Sequence, residues 1–210
     1  MSHKDRTGSL SVVGLSVGAA LLFQYGHFLE HAIQAAAWIG GYRHAPYMTG
    51  LGHALVQWFG EGAAPAADAA RQKRLGVELL HLFGNAVFCY GVFGFWRATR
   101  HRLMRAALWI EGAHLAEHAL LTVTVVVWDQ AVGFSTLFGL PLAEGTAVAL
   151  RVWIHFALNA VPTLLVTLVL GELLRRRRDA APPVTPRLIE LRLGIATVPR
   201  RPGPEPLVPA

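Results

Sequence analysis

Residues 9–39 read SLSVVGLSVGAALLFQYGHFLEHAIQAAAWI, and this stretch carries a single formal charge, at Glu30. A helix rises about 1.5 Å per residue, so about 20 apolar residues are enough to cross a hydrocarbon core of about 30 Å. The stretch is therefore long enough to span a membrane as one helix. It lacks the small-residue cleavage pattern of a signal peptide, so we expect this helix to be retained.

Three further apolar stretches have the same character. Residues 75–96 carry one formal charge, residues 106–128 carry two, and residues 152–171 carry none. Of the 210 residues, 53% are hydrophobic and 15% are charged, and the stretches lack the polar faces that the outer helices of a soluble bundle need. We predict an all-α integral membrane four-helix bundle, with helices at about residues 9–38, 75–96, 104–128 and 148–173.

Most of the net positive charge of +6 lies in three places. Basic residues occur near the N-terminus, in the short connection at residues 97–105, and at residues 175–178. Four crossings put these three places on one side of the membrane. The positive-inside pattern therefore predicts a plasma membrane protein with both termini cytoplasmic, although Arg71, Lys73 and Arg74 lie on the other side. This distribution favours the lipid bilayer as a partner and excludes nucleic acid.

The chain divides into a membrane domain and a tail. We assign residues 1–178 to the four-helix transmembrane domain, and residues 179–210, which are rich in proline, to a mostly disordered cytoplasmic tail. Residues 47–59, in the first outer connection, are too apolar for a solvated loop. We expect them to lie in the membrane interface or to fold back over the bundle.

An internal repeat relates the first two helices to the last two. The segment HFLEHAI at residues 27–33 matches HLAEHAL at residues 114–120, and HLFGNAV at residues 81–87 matches HFALNAV at residues 155–161. The histidine, glutamate and asparagine positions recur while the apolar positions between them differ. We predict two repeated helical hairpins related by a pseudo-two-fold axis along the membrane normal.

The repeated polar residues predict a buried metal site. Positions i, i+3 and i+4 share one side of a helix, so each His-x-x-Glu-His segment projects its polar groups together, and all four polar stripes fall at one depth. Buried charges need partners, and the helix cores offer no lysine or arginine to the glutamates, so a divalent cation is the expected partner. We predict the metal ligands His27, Glu30, His31, His81, His114, Glu117, His118 and His155. We expect Glu78, Asn85, Glu111 and Asn159 to orient these ligands from outside.

Two pseudo-symmetric sites imply two transition-metal ions. Histidine with carboxylate favours iron or copper, with zinc as an alternative, and the single Cys89 excludes a cysteine-based site. In an enzyme, Glu30 and Glu117 are the catalytic candidates, as bridging ligands or proton carriers. We predict an oxidoreductase, of the oxygen-activating hydroxylase, monooxygenase or desaturase type, that acts on a hydrophobic small-molecule substrate with a redox partner. A homo-oligomer is left open.

The His-x-x-x-His spacing resembles that of membrane di-iron hydroxylases and desaturases, but the helices here are fewer and the soluble histidine boxes are missing. His-x-x-Glu-His also resembles the motif of a class of zinc proteases in which the glutamate is the catalytic base. Its duplication in a symmetric bundle argues against a protease. Two further alternatives stay open at this point: a b-type cytochrome with haem held by facing histidines, and a metal or proton-coupled membrane carrier.

Overall fold

The computed structural model describes the backbone of residues 3–180 and the side chains of residues 12–180. The described part of the chain is all-helical and has no strand. Its elements are α1 (His3–Ile39), α2 (Gly50–Ala63), α3 (Ala69–Thr99), α4 (Arg102–Trp128), a short 3₁₀ helix (Phe134–Gly139) and α5 (Glu144–Ala180). Four of them, α1, α3, α4 and α5, are long and apolar enough to span a membrane, which confirms the predicted fold class.

The chain separates into a unit that ends at Gly171 and a second unit that begins at Glu172. The first unit contains all the elements except the C-terminal part of α5. Of the second unit, the structure describes only residues 172–180, which are helical. The predicted proline-rich tail falls almost entirely outside the described residues.

The spanning helices extend beyond the apolar stretches because polar residues begin and end them. Helix α3 begins at Ala69 rather than near residue 75, since the Asp68 side chain accepts a hydrogen bond of 2.9 Å from the Arg71 N–H and caps the first turn. The same hydrogen bond lowers the pKa of the Asp68 carboxyl. At the other end, Arg100 adopts a left-handed conformation (φ 54°) that ends α3 just before α4 begins.

The apolar outer connection forms helix α2, which packs on the beginning of α3. Thr49 caps α2 by accepting a hydrogen bond from the Gly52 N–H. Two glycines allow the helices to approach closely: Gly60 faces the backbone of Gln72, and Gly76 faces the carbonyl oxygen of Val56. Residues 47–59 therefore fold back onto the bundle, one of the two positions expected for them.

We expect Gly76→Ala to destabilise the protein because the added Cβ would collide with the Val56 carbonyl and force α2 away from α3. Overpacking of this kind costs about 1–3 kcal/mol. Gly112→Ala is the matched control, since nothing lies within 4 Å of a Cβ there. The thermal unfolding midpoint of purified protein should fall for Gly76→Ala and not for Gly112→Ala. Equal midpoints would contradict the close α2–α3 contact.

The interior of the bundle is polar and its exterior is apolar. Among the described side chains, buried polar and charged residues outnumber buried hydrophobic ones, whereas Trp109 is 77% exposed. Helices α1 and α5 meet through polar pairs, in which the Gln24 amide donates to the Asn159 Oδ1 at 3.0 Å and the hydroxyls of Tyr25 and Thr167 lie 2.7 Å apart. Polar residues inside membrane helices are costly and usually mark a functional site.

Candidate metal centre

Six histidines from all four spanning helices meet inside the bundle. The His81 ring of α3 stacks on the His118 ring of α4, with centroids 4.9 Å apart. The His155 ring of α5 lies 4.9 Å from His118 and 6.0 Å from the His31 ring of α1. The structure thus brings together histidines that are separated by up to 128 positions in the chain, counted from His27 to His155.

The first group of three consists of His27, His31 and His81, with one ring nitrogen of each within 4.8 Å of the others. The Nε2 atoms of His27 and His31 lie 3.3 Å apart. Two imidazole nitrogens bound to one tetrahedral ion at about 2.0–2.1 Å would be separated by about 3.4 Å. The spacing of this pair therefore already fits chelation of a single ion.

Hydrogen bonds orient the rings of this group. His31 Nδ1 donates to the Gln34 side-chain oxygen at 3.0 Å, and His81 Nδ1 donates to the Val77 carbonyl at 2.7 Å. An amide or carbonyl oxygen only accepts, so both protons lie on Nδ1. The Nε2 atom of His31 then accepts from the Nε2–H of His27, and the Nε2 atom of His81 carries an unprotonated lone pair. An imidazole with its outer N–H bonded in this way is the usual form of a metal-ligating histidine.

The second group of three consists of His114, His118 and His155, all buried. His155 Nδ1 donates to the Arg151 carbonyl at 2.7 Å, which repeats the bond of His81 to Val77. His118 Nδ1 donates to the Glu78 carboxylate at 3.1 Å. Four ring nitrogens are buried without a hydrogen-bond partner in the part of the chain that the structure describes: the Nε2 atoms of His118 and His155, and both ring nitrogens of His114. Each such atom costs about 1–3 kcal/mol unless something binds it.

The glutamates of the two His-x-x-Glu-His segments do not join these groups. Glu30 accepts hydrogen bonds from the N–H and the hydroxyl of Thr49, at 2.8 and 2.7 Å. Glu117 accepts from the Phe134 N–H at 2.9 Å and from the N–H and hydroxyl of Ser135, both at 2.8 Å. Both carboxylates are thus bonded to the outer connections, and neither belongs to a histidine group. That Glu30 and Glu117 are metal ligands stays a prediction.

Each glutamate instead holds the beginning of an outer helix against the bundle. Glycines make room for both carboxylates: a Cβ at Gly52 would lie 2.8 Å from a Glu30 oxygen, and a Cβ at Gly133 would lie 2.8 Å from a Glu117 oxygen. The glutamates of the two His-x-x-Glu-His segments thus make corresponding contacts. The two-fold relation between the hairpins remains a prediction.

Glu78 lies between the second histidine group and an arginine. One oxygen accepts from His118, and the other accepts from Arg151 at 2.5 Å. Glu78 is buried, and the Arg151 side chain is one-quarter exposed. Glu78 therefore has the cationic partner that we did not expect for the core glutamates Glu30 and Glu117. It is bonded to a histidine, and its role in orienting a metal ligand stays a prediction.

The remaining outer candidates differ from one another. Asn159 accepts from Gln24 and donates to the His155 carbonyl at 2.9 Å, so its amide supports the histidine helix. Asn85 is fully buried, and neither polar atom of its amide has a hydrogen-bond partner among residues 12–180. Glu111 is also fully buried, with one oxygen 3.7 Å from His114 Nδ1, beyond hydrogen-bond distance.

A cavity of about 380 Å³ leads to the histidines from the end of the bundle that carries α2. Three of its lining residues, His31, His81 and His155, belong to the two groups. Ligand-binding pockets have volumes of about 300–1,000 Å³. A small molecule that enters this cavity therefore has access to both histidine groups.

Sequence reasoning missed three residues of this region. Arg151 precedes His155 by four positions and shares its side of α5, a spacing that was available from the sequence. Thr49 and Ser135 follow the two His-x-x-Glu-His segments by nearly equal intervals, and hydroxyl residues just before or at the beginning of a helix are typical capping residues. That pattern indicated their position but not their glutamate partners.

The model of a family described as a family of unknown function (DUF6008) matches residues 5–187. The match covers most of the chain, so the chain belongs to that family. No curated protein and no solved structure matches the chain.

Proposed function

We propose that this member of the DUF6008 family is an integral membrane metalloprotein in which two groups of three histidines each bind one transition-metal ion. We further propose that the pair of ions serves an oxidoreductase reaction on a hydrophobic substrate, of the hydroxylase, monooxygenase or desaturase type. The observation that carries the proposal is the second group, in which four buried ring nitrogens have no hydrogen-bond partner among the described residues.

The orientation of the rings supports ion binding over a packing role. A histidine that only fills space in a membrane helix normally satisfies both ring nitrogens by hydrogen bonds. Here His81, His118 and His155 use Nδ1 for a bond to an oxygen, and each belongs to a group whose ring nitrogens lie within 4.8 Å of one another. A metal ion relieves the cost of burying the lone pairs of these nitrogens, and one ion in each group links α1 to α3 and α4 to α5.

The ligand set favours copper. Imidazole suits copper, zinc, iron and nickel, whereas carboxylate ligands shift preference towards iron and manganese. Because Glu30 and Glu117 are engaged by the outer connections, the sites are formed by imidazole alone. Copper supplies one-electron and oxygen chemistry when bound, and non-haem iron supplies similar chemistry. A pair of zinc ions would instead point to hydrolysis.

The geometry weighs against the two alternatives. A b-type haem takes axial ligands from opposite sides of its plane, but His27 and His31, and likewise His114 and His118, are paired on the same helix with rings 4.8 and 5.1 Å apart. A cation carrier needs an entrance that attracts cations. The cavity that leads to the histidines carries a net positive charge because, among the described residues, Arg74 and Arg151 are paired with carboxylates and Lys73 is not, so its mouth does not attract cations.

We also propose the plasma membrane as the location, with both termini cytoplasmic. The support is the distribution of basic residues, which gather at the N-terminus, between α3 and α4, and at the end of α5. The α2 end of the bundle, where the cavity opens, then faces outward.

The proposal is tested by purifying the protein in detergent and measuring its metal content together with its visible spectrum. We expect two non-haem transition-metal ions per chain, with copper predominant. A haem Soret band would contradict the proposal, and so would a chain that binds no metal under conditions in which it stays folded.

A further inference from the structure

The geometry points to a single-chain amphipathic anion as the ligand of the cavity, with its anionic headgroup at the mouth and its apolar chain directed at the histidines. The ligand class deepens the proposed function, since the histidine groups at the inner end are the proposed metal sites. Three features of the cavity fit such a ligand: its charges, its apolar lining and its depth.

The charges that line the cavity are predominantly positive. Lys73, Arg74 and Arg151 contribute three cationic groups, and Glu78 is the one carboxylate among the lining residues. Two of these cations are already paired: Arg74 with Asp129 at 2.5 Å, and Arg151 with Glu78 at 2.5 Å. Glu78 itself is also bonded to His118. The excess charge available to a ligand is therefore positive.

Lys73 is the cation best placed to bind an incoming anion. It is exposed, and no hydrogen bond or ion pair engages its ammonium group within the part of the chain that the structure describes. The nearby carboxylate of Asp129 is paired with Arg74 and lies 3.9 Å from Arg71, so these two arginines and not Lys73 neutralise it. A compact ammonium on a flexible stem suits a carboxylate or phosphate headgroup at a cavity mouth.

The cavity wall between this charge and the histidines is largely apolar. Tyr42, Tyr47, Met48, Val77 and Ala131 line it. A small hydrophilic anion would leave these surfaces in contact with water. An apolar chain covers them at a gain of roughly 25 cal/mol per Å² buried.

The depth of the cavity sets the length of the ligand. Lys73, Val77 and His81 all line the cavity and follow one another along α3. Eight residues of helix separate Lys73 from His81, which corresponds to about 12 Å along the axis. A headgroup at Lys73 therefore places the far part of a medium-length alkyl chain beside the proposed metal ions.

The inference is tested with radiolabelled dodecanoate, dodecyltrimethylammonium and acetate, each measured for binding to immobilised full-length protein in nonionic detergent. We expect the wild type to bind dodecanoate more tightly than both other probes. Lys73→Glu replaces attraction by repulsion at the mouth. It should weaken dodecanoate binding by about tenfold or more and strengthen binding of dodecyltrimethylammonium.

Arg105→Glu is the matched control, because it makes the same charge change on an exposed residue at the other end of the bundle. It should leave both affinities unchanged. Three results would overturn the inference: equal dodecanoate binding by the wild type and Lys73→Glu, acetate binding as tight as that of dodecanoate, or an equal loss in Arg105→Glu. Displacement of dodecanoate by phosphatidylglycerol at equal concentration would contradict a single-chain ligand and identify a lipid headgroup instead.

Metal content, measured on the same samples, separates this inference from the proposed function. If the protein binds two metal ions per chain and Lys73→Glu leaves the dodecanoate affinity unchanged, the anion site alone is refuted. A chain without metal whose dodecanoate binding still depends on Lys73 would refute the metal sites and leave the anion site standing.

Discussion

His118→Ala is expected to bind one metal ion per chain where the wild type binds two. The substitution removes one of the three imidazoles of the second group, while His27, His31 and His81 retain theirs. Replacing even an outer partner of a ligand typically lowers metal affinity by about 10–100-fold, so the loss of a ligand should exceed about 100-fold. The reciprocal variant His31→Ala should lose the other ion, and the double variant should lose both.

Two further variants calibrate this result. Glu78→Ala leaves every imidazole in place but removes the oxygen that orients His118, so we expect a loss of about 10–100-fold in affinity at the second group only. His53→Ala removes an exposed histidine that lines the cavity outside both groups, and it should retain two ions. Affinities are measured by competition with a chelator, and size-exclusion chromatography confirms folding. Retention of both ions by folded His118→Ala would show that the second group is not a site.

Glu117→Ala is expected to destabilise the protein strongly while leaving both metal ions bound. The substitution leaves the N–H groups of Phe134 and Ser135 and the buried Ser135 hydroxyl without an acceptor. The two Ser135 groups are buried, and at about 1–3 kcal/mol for each unsatisfied buried group the expected loss is roughly 2 kcal/mol or more. The thermal unfolding midpoint and the metal content, measured on the same preparation, give the two results.

The behaviour of Glu117→Ala separates the two roles considered for this residue. Glu30→Ala should likewise destabilise the protein and leave both metal ions bound, because Thr49 loses both of its bonds to the carboxylate. Glu61→Ala is the control, since this exposed glutamate accepts only from the Gln57 side chain. If Glu117→Ala instead lost an ion and kept the unfolding midpoint of the wild type, the glutamate would be a metal ligand as the sequence pattern predicted.

The four helices and the meeting of the histidines were accessible from the sequence. The uninterrupted apolar stretches determine the number of crossings. The histidines lie at similar depths in all four stretches, so the four helices bring them to one level of the membrane. His27 and His31 lie about 40° apart around the helix axis, so they face the same neighbours. In the structure the Nε2 atoms of the two rings lie 3.3 Å apart.

The position of the glutamates was not accessible in the same way. Glu30 lies on the other side of His27 from His31, about 100° from His31 around the axis. Which neighbour such a residue meets depends on the rotation of the helix and on the loop that packs against it. The beginnings of α2 and of the 3₁₀ helix supply backbone N–H groups to Glu30 and Glu117. The sequences of α1 and α4 contain no pattern that predicts these donors.

Arg151 illustrates a second limit. It lies just outside the uncharged stretch that begins at residue 152, and counting charges within apolar stretches therefore left it out. A long arginine side chain reaches about one turn along a helix and past its neighbours. It extends to Glu78 on α3, so a residue assigned to the helix end takes part in the polar interior.

The most direct test of the two histidine sites is an X-ray absorption spectrum of the purified protein at the edge of its bound metal. We expect a first shell of nitrogen at about 2.0–2.1 Å, with scattering from the outer ring atoms of about three imidazoles per ion. Sulfur in the first shell, the pattern of a porphyrin, or a shell of carboxylate oxygens without imidazole would contradict this expectation.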